Sequence, residues 1–368
     1  MDAADLIRPD IATMEPYTPI FPFDVLAARL GRRPEEIIKL DANENPYGPS
    51  PKVLAALANL RYAHIYPDPG SDALRAALAN FTGVPADRLV AGAGVDELLD
   101  LIMRLFLSPG DAIVNCPPTF GMYSFDGALH AAKVIAVPRR EDFSPDIAGI
   151  IRAVEQHRPK LVFIAVPNNP SGNWVSDAEL ERLLALPTVI VLDEAYVEFA
   201  SANGTPGMAR SRIRRVLDYP NLIVLRTFSK LAGLAGLRVG YGAFPQTLMP
   251  HLWKIKQPYN VSIAASTAAL AALDDLDWLN DKVARIVAER EHFGKLLGDI
   301  PYLHPYPSCA NFILCKVEGR SAKQLKLDLE QMGILIRHYD NPALKDYVRF
   351  TVGTPAQSGV VIAALIRL

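Results

Sequence analysis

One lysine has the sequence surroundings of a nucleophilic amine. Lys230 lies in the segment 227–238, where most neighbours are small or apolar and where Thr227 and Ser229 supply hydroxyl groups. Removing a lysine amine from water lowers its pKa and leaves neutral amine that can form a Schiff base with a carbonyl. An isolated lysine of this kind is ordinarily a surface residue at a loop tip, so the interpretation depends on the groups that accompany it.

Asp193 and Tyr196 form a second candidate group. Asp193 directly follows the apolar and β-branched run 188–192, which predicts a carboxylate at the end of a buried strand. Because an unpaired buried carboxylate is costly, it must be paired or hydrogen-bonded. One alternative is the N-cap of a following helix. The other is pairing with a cationic ring nitrogen of a bound ligand, which Tyr196 would also contact.

A glycine-containing turn is the third candidate. Residues 91–96 read Ala-Gly-Ala-Gly-Val-Asp, after a short apolar run and at the start of a helical pattern. Glu97 occupies the third glycine position of the dinucleotide-binding pattern, which argues against a nicotinamide dehydrogenase. The strand–turn–helix order still offers backbone N–H groups to a phosphate, and Thr227, Ser229 and Arg238 would add hydroxyl and guanidinium donors.

These groups follow the strands of a predicted α/β fold. Amphipathic helical stretches such as 71–81 and 95–107 alternate with apolar runs, which lie at 89–90, 112–114, 134–137, 161–166, 189–192 and 222–225. The alternation indicates a large domain with a mainly parallel, mixed sheet flanked by helices. Ligands of such sheets bind at the carboxyl ends of the strands, where the candidate groups lie.

The last hundred residues have a different pattern, with a long helix at 276–297, three short strands and a terminal helix from Pro355. This pattern predicts a smaller α+β domain that includes the N-terminal segment. We therefore expect a large cofactor-binding domain at 40–265 and a small domain formed by both chain ends, 1–39 and 266–368.

One ligand would satisfy all of the candidate groups. It must carry a phosphate, a ring nitrogen that stays protonated, a phenolic oxygen and an aldehyde that the lysine can attack. Pyridoxal 5′-phosphate (PLP) has all four. The convergence of separate strand-end signals on one molecule predicts a PLP-dependent protein.

The motifs resemble those of the fold-type-I, class I/II PLP-dependent aminotransferases. The resemblance rests on Asn169-Pro170-Ser171-Gly172, Asp193-Glu194-Ala195-Tyr196, Ser229-Lys230 and Arg238, in this order. Longer strings at 40–50, 66–68, 226–241 and 348–354 resemble more specifically the histidinol-phosphate aminotransferases. The resemblance extends from about residue 17 to the C-terminus.

The resemblance implies a set of cofactor-binding residues. Lys230 would carry the cofactor as a Schiff base and move the substrate proton, and Asp193 would keep the pyridine nitrogen protonated. Asn169 and Tyr196 would hydrogen-bond the phenolic oxygen, and Phe120 would stack on the ring. The residues that would hold the phosphate are Gly94, Val95, Asp96, Thr227, Ser229 and Arg238.

It also implies a substrate site rich in arginine. Arg349 would grip the amino-acid carboxylate and Arg337 would join it, because a guanidinium fork binds a carboxylate or a phosphate monoester equally well. Each arginine alternatively forms a surface ion pair, which contributes little. Further contacts to the substrate would come from Tyr17, Asn43 and Asn311.

The predicted activity is that of a histidinol-phosphate aminotransferase in histidine biosynthesis. It would transfer an amino group reversibly, in a ping-pong reaction, between L-histidinol phosphate or imidazole-acetol phosphate and glutamate or 2-oxoglutarate. Ala93 and Val95 stand where the family more often has Asn and Ser, so the turn lacks one side-chain hydroxyl. An aromatic amino-acid aminotransferase and a threonine-phosphate decarboxylase of the same fold remain alternatives. A non-enzymatic PLP-binding sensor or regulator is disfavoured, because the short acidic N-terminus has no room for a helix-turn-helix domain.

The amino-acid composition limits the classes of partner that we expect the protein to bind. The 368 residues include 38 Lys and Arg against 40 Asp and Glu, a net charge of −2 that argues against nucleic-acid and membrane partners. Three cysteines without CxxC spacing predict neither a disulfide framework nor a metal site. The acidic start without an apolar segment predicts a cytoplasmic protein. Tyr66 resembles a tyrosine that the family lends to the cofactor phosphate of the other subunit, which implies a homodimer with shared active sites.

Overall fold

The computed structural model describes residues 1–16, 23–201 and 207–368. Its strands, in chain order, are β1 (Ile38–Leu40), β2 (Leu89–Gly92), β3 (Ala112–Asn115), β4 (Lys133–Ala136), β5 (Leu161–Ala165), β6 (Val189–Asp193), β7 (Leu222–Thr227), β8 (Gly240–Ala243), β9 (Leu303–Pro305), β10 (Phe312–Val317), β11 (Ile334–His338) and β12 (Tyr347–Thr351).

The α-helices are α1 (Pro9–Ala12), α2 (Phe23–Leu30), α3 (Pro51–Ala58), α4 (Asp72–Thr82), α5 (Val95–Phe106), α6 (Met122–Leu129), α7 (Ile147–His157), α8 (Asp177–Leu184), α9 (Phe228–Leu231), α10 (Met249–Ile255), α11 (Ile263–Leu273), α12 (Leu276–Gly298), α13 (Ala322–Gln331) and α14 (Pro355–Arg367). Short 3-10 helices lie at Ala3–Leu6, Pro34–Glu36, Ala86–Arg88, Val197–Phe199, Gly207–Arg210, Ile213–Leu217 and Ala235–Leu237. No helix in these described ranges is long and apolar enough to cross a membrane.

Seven of the described strands form a large, mainly parallel sheet. Their order is β2-β8-β7-β6-β5-β3-β4, and only β8 runs antiparallel to its neighbours. Strands β5 and β7 are buried along their whole length, as expected of a sheet with both faces covered. The sequence pattern did not predict β8, because Gly240-Tyr241-Gly242-Ala243 contains no apolar run.

Helices cover both faces of this sheet. On one face, Leu74 and Leu78 of α4 share an apolar core with buried strand residues, and both leucines are fully buried. On the other face, Leu98 and Ile102 of α5 lie in a second core. The leucine pair is spaced four residues apart, which places both side chains on the same side of the helix. Replacing Leu78 with alanine would cost about 2–5 kcal/mol of stability.

The strand order brings the segments that follow three strands to the same end of the large sheet. Strands β5, β6 and β7 are adjacent and parallel, so the segments that follow them leave the sheet at the same end. Strand β2 is separated from β7 by the antiparallel β8 and therefore runs in the same direction as β7. The turn after β2 consequently lies at the same end of the sheet as Asp193 and Lys230.

A second sheet contains the other five described strands, in the order β1-β11-β12-β10-β9. Strand β1 is parallel to β11, and the other pairs are antiparallel. This sheet therefore joins residues 38–40 to the chain between Leu303 and Thr351. The predicted division into domains at residues 40 and 265 stays a prediction.

Candidate active site

A cavity of about 480 Å³ lies at the carboxyl ends of the parallel strands. The large sheet forms one side, and residues of β11 and β12 form another. The predicted site residues that line it are Asn43, Val95, Asp96, Phe120, Asn169, Asp193, Tyr196, Thr227, Ser229, Lys230, Arg238, Arg337 and Arg349. The fold thus brings together predicted site residues that are as much as about three hundred positions apart in the chain.

The remaining predicted residues lie elsewhere. Gly94 is not among the lining residues, although its neighbours Val95 and Asp96 are, and it lies next to the guanidinium of Arg238. Asn311 is fully buried and reaches the cavity only through Asn43, whose carbonyl oxygen accepts a 3.0 Å hydrogen bond from the Asn311 amide. Tyr66 is 80% exposed on the surface and stacks on Tyr259, with ring centroids 4.7 Å apart. Tyr17 lies outside the described residues.

Lys230 projects into the cavity from the short helix α9, directly after β7. Thr227 caps this helix by accepting a 3.0 Å hydrogen bond from the Ser229 backbone N–H. The Lys230 amine donates to the carbonyl oxygen of Ala42 at 3.0 Å. Burial, assisted by the positive charge of Arg349, lowers the pKa of Lys230 to about 8. A substantial fraction of the amine is therefore neutral near physiological pH.

Asp193 ends β6 with its carboxylate buried in the cavity wall. One carboxylate oxygen, Oδ2, accepts a 2.6 Å hydrogen bond from the hydroxyl of Tyr123, and Oδ1 accepts one of 3.0 Å from the Ala195 backbone N–H. Burial raises the pKa of Asp193, and these two hydrogen bonds oppose the rise. The carboxylate is therefore held as a hydrogen-bonded acceptor at the cavity.

Tyr196 presents its phenol to the same cavity. Its hydroxyl oxygen accepts a 3.0 Å hydrogen bond from the side-chain amide of Asn43. Burial raises the pKa of Tyr196 to about 12, although the nearby charge of Arg349 and the Asn43 hydrogen bond act in the opposite direction. The phenol thus keeps its proton at neutral pH and can donate it to a ligand oxygen.

The turn after β2 forms a cradle at the start of α5. Gly94 has a φ of +85°, and a Cβ on it would lie 2.5 Å from Nη2 of Arg238. Only glycine therefore allows the guanidinium to approach the turn this closely. Arg238 forms an ion pair with Asp96, with an N–O distance of 2.9 Å. Helix N–H groups, a guanidinium and hydroxyl groups of Thr227 and Ser229 converge here, which is a donor set suited to a phosphate.

Glu97 fixes this turn, a role that the sequence reasoning missed. Its Oε2 accepts hydrogen bonds from the Ala93 backbone N–H at 2.5 Å and from the Asn260 side chain at 2.8 Å. Asn260 also donates to the Ala91 carbonyl oxygen at 3.1 Å. The residue that interrupts the glycine pattern therefore ties the turn to a distant segment of the chain.

Arg349 is a buried arginine of the cavity wall, and hydrogen bonds fix its guanidinium. It is 5% exposed and donates to Oδ1 of Asn169 at 2.6 Å and to the Asp41 carbonyl oxygen at 2.7 Å. Its buried Nε has no hydrogen-bond partner among the described residues. Arg337 stands opposite it on β11 and also lines the cavity. An unsatisfied buried guanidinium nitrogen beside a second arginine indicates a place for an anionic ligand.

The residues present fit PLP. The cradle at Gly94 suits the phosphate, the buried Asp193 suits a protonated ring nitrogen, and the Tyr196 phenol suits the phenolic oxygen. The lowered pKa of Lys230 suits an amine that attacks an aldehyde. Each functional group of PLP would thus meet side chains of complementary chemistry in one cavity.

Comparison with known proteins agrees with this chemistry. The family model described as "Aminotransferase class I and II" matches residues 35–365. The chain belongs to this family.

Two relatives that are similar over nearly the whole chain are both histidinol-phosphate aminotransferases. The chain is 54% identical over 360 residues to a chloroplastic histidinol-phosphate aminotransferase of Nicotiana tabacum, covering 98% of this chain and 86% of that protein. It is also 54% identical over 369 residues to the histidinol-phosphate aminotransferase of Roseiflexus castenholzii, covering 98% and 97% of the two chains.

A solved structure gives the same result for the fold. The histidinol-phosphate aminotransferase of Sinorhizobium meliloti, crystallised in complex with pyridoxal-5′-phosphate, superposes with a TM-score of 0.87 at 31% identity. The match covers 98% of this chain and 97% of that one. The family and the fold class predicted from the sequence are therefore confirmed.

Proposed function

We propose that the protein is a PLP-dependent aminotransferase that acts on L-histidinol phosphate in histidine biosynthesis. It would exchange the amino group reversibly between histidinol phosphate or imidazole-acetol phosphate and glutamate or 2-oxoglutarate, in a ping-pong reaction. The single observation that carries the proposal is one cavity that contains the Lys230 amine, the Asp193 carboxylate and the guanidinium groups of Arg337 and Arg349. The names of the relatives supply the substrate.

The cofactor would be held at its phosphate and at its ring. Its phosphate would lie in the cradle of Gly94, Val95 and Asp96, with Thr227, Ser229 and Arg238 as further donors. Its ring would lie against Phe120, which lines the cavity. When bound, PLP supplies an aldehyde that condenses with primary amines and a ring that withdraws electrons from the attached carbon.

Two residues would handle the protons of the reaction. Lys230 would take the proton from Cα of the substrate and deliver it to C4′ of the cofactor, which requires the neutral amine that the pKa of about 8 provides. Asp193 would keep the ring nitrogen protonated by pairing with it. Both groups lie at the same end of the large sheet, Asp193 as the last residue of β6 and Lys230 in helix α9, directly after β7.

The phenolic oxygen of the cofactor would be bound by Tyr196 and Asn169. Tyr196 would donate its hydroxyl proton, because that oxygen already accepts from Asn43. Asn169 accepts from Arg349 through Oδ1, so its amide nitrogen is the donor that faces other partners. The link between Asn169 and Arg349 would couple the cofactor to the substrate carboxylate.

The substrate would be bound by arginine. Arg349 would bind the carboxylate of glutamate, and Arg337 would bind the second anionic group, the side-chain carboxylate of glutamate or the phosphate of histidinol phosphate. Asn43, another predicted substrate contact, lines the same cavity and donates a hydrogen bond to the Tyr196 hydroxyl. Asn311 would support Asn43 from behind, and Tyr17 stays a predicted contact.

A half-reaction panel tests the substrate. The PLP-loaded protein would be mixed separately with histidinol phosphate, phenylalanine, phosphothreonine and glutamate, while the absorbance of the bound cofactor and the products are followed. We expect a response to histidinol phosphate and glutamate, with imidazole-acetol phosphate as product. A response to phenylalanine without one to histidinol phosphate would contradict the proposal, and so would carbon dioxide release from phosphothreonine. Borohydride reduction should fix the pyridoxyl group on Lys230, and Lys230→Ala should lose transamination.

We also propose a cytoplasmic homodimer in which Tyr66 completes the partner's site. Its exposure on the surface, away from its own cavity, supports such a role. Mixing Lys230→Ala with Tyr66→Ala, each inactive alone, should restore activity, since exchange of subunits would produce one intact site. No recovery after verified exchange would contradict shared sites.

A further inference from the structure

Tyr123 lines the cavity and makes one hydrogen bond that the proposed mechanism does not use. Its side chain is fully buried, and its hydroxyl donates to Oδ2 of Asp193 at 2.6 Å. Tyr123 lies in the first turn of α6 and Asp193 ends β6, so the contact joins a helix to the end of a central strand. It also joins two residues that are seventy positions apart.

The ring of Tyr123 is fixed by two aromatic neighbours. It stacks on Phe163 of β5, with centroids 5.1 Å apart and ring planes at 13°. It meets the edge of Phe120 at 5.6 Å and 82°. The hydroxyl therefore cannot turn away from Asp193 without breaking this packing.

Asp193 has few other means of staying ionised. Among the described residues, no lysine, arginine or histidine forms an ion pair with it, and Ala195 supplies only a backbone N–H. The negative charge of Asp96 opposes ionisation, as burial does. The hydroxyl of Tyr123 is thus the side-chain donor that stabilises the buried carboxylate.

Tyr123 is suited to be a permanent donor. Burial, together with the adjacent charge of Asp193 and the phenol of Tyr196, raises the pKa of Tyr123 well above its ordinary value, and only the charge of Arg139 acts against this. The phenol therefore keeps its proton throughout the working pH range. In this hydrogen bond the proton stays on the tyrosine, and the Asp193 carboxylate is the acceptor.

We propose that Tyr123 is a positioning residue that holds the Asp193 carboxylate as an oriented anion for the ring nitrogen of the cofactor. The inference rests on the proposed function, because it concerns the group that Asp193 would bind. Tyr123 acts through Asp193, and its contact with Phe120 places the same side chain against the residue that would stack on the ring.

The test compares Tyr123→Phe with a matched control, Tyr302→Phe. Tyr302 also donates a 2.6 Å hydrogen bond, to the Leu365 carbonyl oxygen, and it is not among the residues that line the cavity. Both changes remove one hydroxyl and keep the ring. We measure the dissociation constant of PLP and the nuclear magnetic resonance signal of PLP labelled with ¹⁵N in the ring, between pH 6 and 9.

We expect Tyr123→Phe to raise the dissociation constant of PLP about 10- to 100-fold, as the loss of a hydrogen bond to a charged group does. We also expect the ring-nitrogen signal to move toward the deprotonated position as the pH rises, which a purely structural role would not cause. Tyr302→Phe should leave both quantities at wild-type values. In an Asp193→Asn background, where no anion is present, Tyr123→Phe should have little further effect on either.

The possible results separate the inference from the proposed function. If the wild-type protein takes up no PLP on Lys230, both are wrong. If it binds PLP with a protonated ring nitrogen and Tyr123→Phe gives the same signal and the same affinity, the proposed function stands and the inference is overturned. Equal effects of Tyr123→Phe with and without Asp193 would also overturn it.

Discussion

Arg337 and Arg349 stand directly opposite each other on the antiparallel strands β11 and β12. Two like charges in this position destabilise a sheet. Among the described residues neither guanidinium has a carboxylate within ion-pair distance; Arg349 is held instead by the Asn169 side chain and the Asp41 carbonyl oxygen. The arrangement is unfavourable without an anion and favourable with one, which is typical of a binding site for dianionic substrates.

The first prediction concerns Arg337. Replacing it with glutamine should raise the stability by about 0.2–1 kcal/mol, because the like-charge pair is removed. The KM for histidinol phosphate should rise about tenfold or more with a small change in kcat, since the lost interaction serves the bound substrate and the transition state alike. Steady-state kinetics and thermal melting check both parts.

Arg285→Gln is the control for Arg337. Arg285 is 59% exposed and pairs with Asp281 on a helix surface, so its loss should change neither KM nor stability appreciably. An Arg337→Gln protein with a wild-type KM and a reduced kcat would show that Arg337 does not bind the substrate in the way we propose.

The second prediction is a pH dependence set by Lys230. Burial and the charge of Arg349 lower its pKa from 10.5 to about 8. Only the neutral amine attacks the aldehyde, so the rate of PLP incorporation into the cofactor-free protein should rise with pH, with a midpoint near pH 8. Arg349→Gln removes one cause of the lowered pKa, and the midpoint should therefore move to higher pH. Stopped-flow absorbance at a series of pH values measures it; a midpoint near 10 in the wild type would refute this account.

The third prediction concerns the buried ion pair between Arg226 and Glu198. Both side chains are almost fully buried, and Arg226 also lies near the rings of Phe81 and Tyr241. Glu198→Gln would remove the carboxylate that is ion-paired with the buried charge of Arg226, which we expect to lower the free energy of unfolding by about 3–5 kcal/mol. Urea denaturation measures this loss.

An exposed ion pair is the control for the buried pair of Arg226 and Glu198. Glu181 pairs with Arg215, and its side chain is 48% exposed. Glu181→Gln should cost less than about 1 kcal/mol, because water solvates the charge that remains. Equal losses in the two variants would mean that burial does not determine the strength of the Arg226 pair.

Much of the site could be predicted because its chemistry is local in sequence. Asp193 and Lys230 each follow an apolar run, and parallel strands bring such positions to one edge. The role of Asn311 was harder, because a pattern cannot tell a residue in the cavity wall from one that supports the wall. Tyr123 could not be found at all, since its contact with Asp193 depends on the orientation of α6 relative to the sheet.

The fold shows the same limit. Strands with long apolar runs were predictable, whereas β8 and β1 are recognisable only from their pairing. Strand β8 contains two glycines among four residues, and β1 has three residues, Ile38-Lys39-Leu40. Their strand conformation is stabilised by hydrogen bonds to β7 and β11, which lie elsewhere in the chain. Tertiary pairing, not local propensity, decides such segments.

The fourth prediction concerns Glu97, which braces the turn proposed to hold the cofactor phosphate. In Glu97→Gln the side chain loses the negative charge that accepts from the Ala93 N–H and from Asn260. The turn should loosen, and its N–H groups should no longer be fixed for the phosphate. We therefore expect PLP to bind about tenfold more weakly, in line with the loss of a charged hydrogen bond. Fluorescence titration of the cofactor-free protein measures the affinity.

Pyridoxal without its phosphate makes the prediction about Glu97 specific. This compound should bind wild type and Glu97→Gln equally well, because it does not use the turn. Glu179→Gln is the control variant, since Glu179 also accepts from a backbone N–H but lies on the surface at the start of α8. It should change neither affinity. A loss of pyridoxal binding as large as the loss of PLP binding would mean that Glu97 supports the cavity as a whole, and that the turn has no separate role in phosphate recognition.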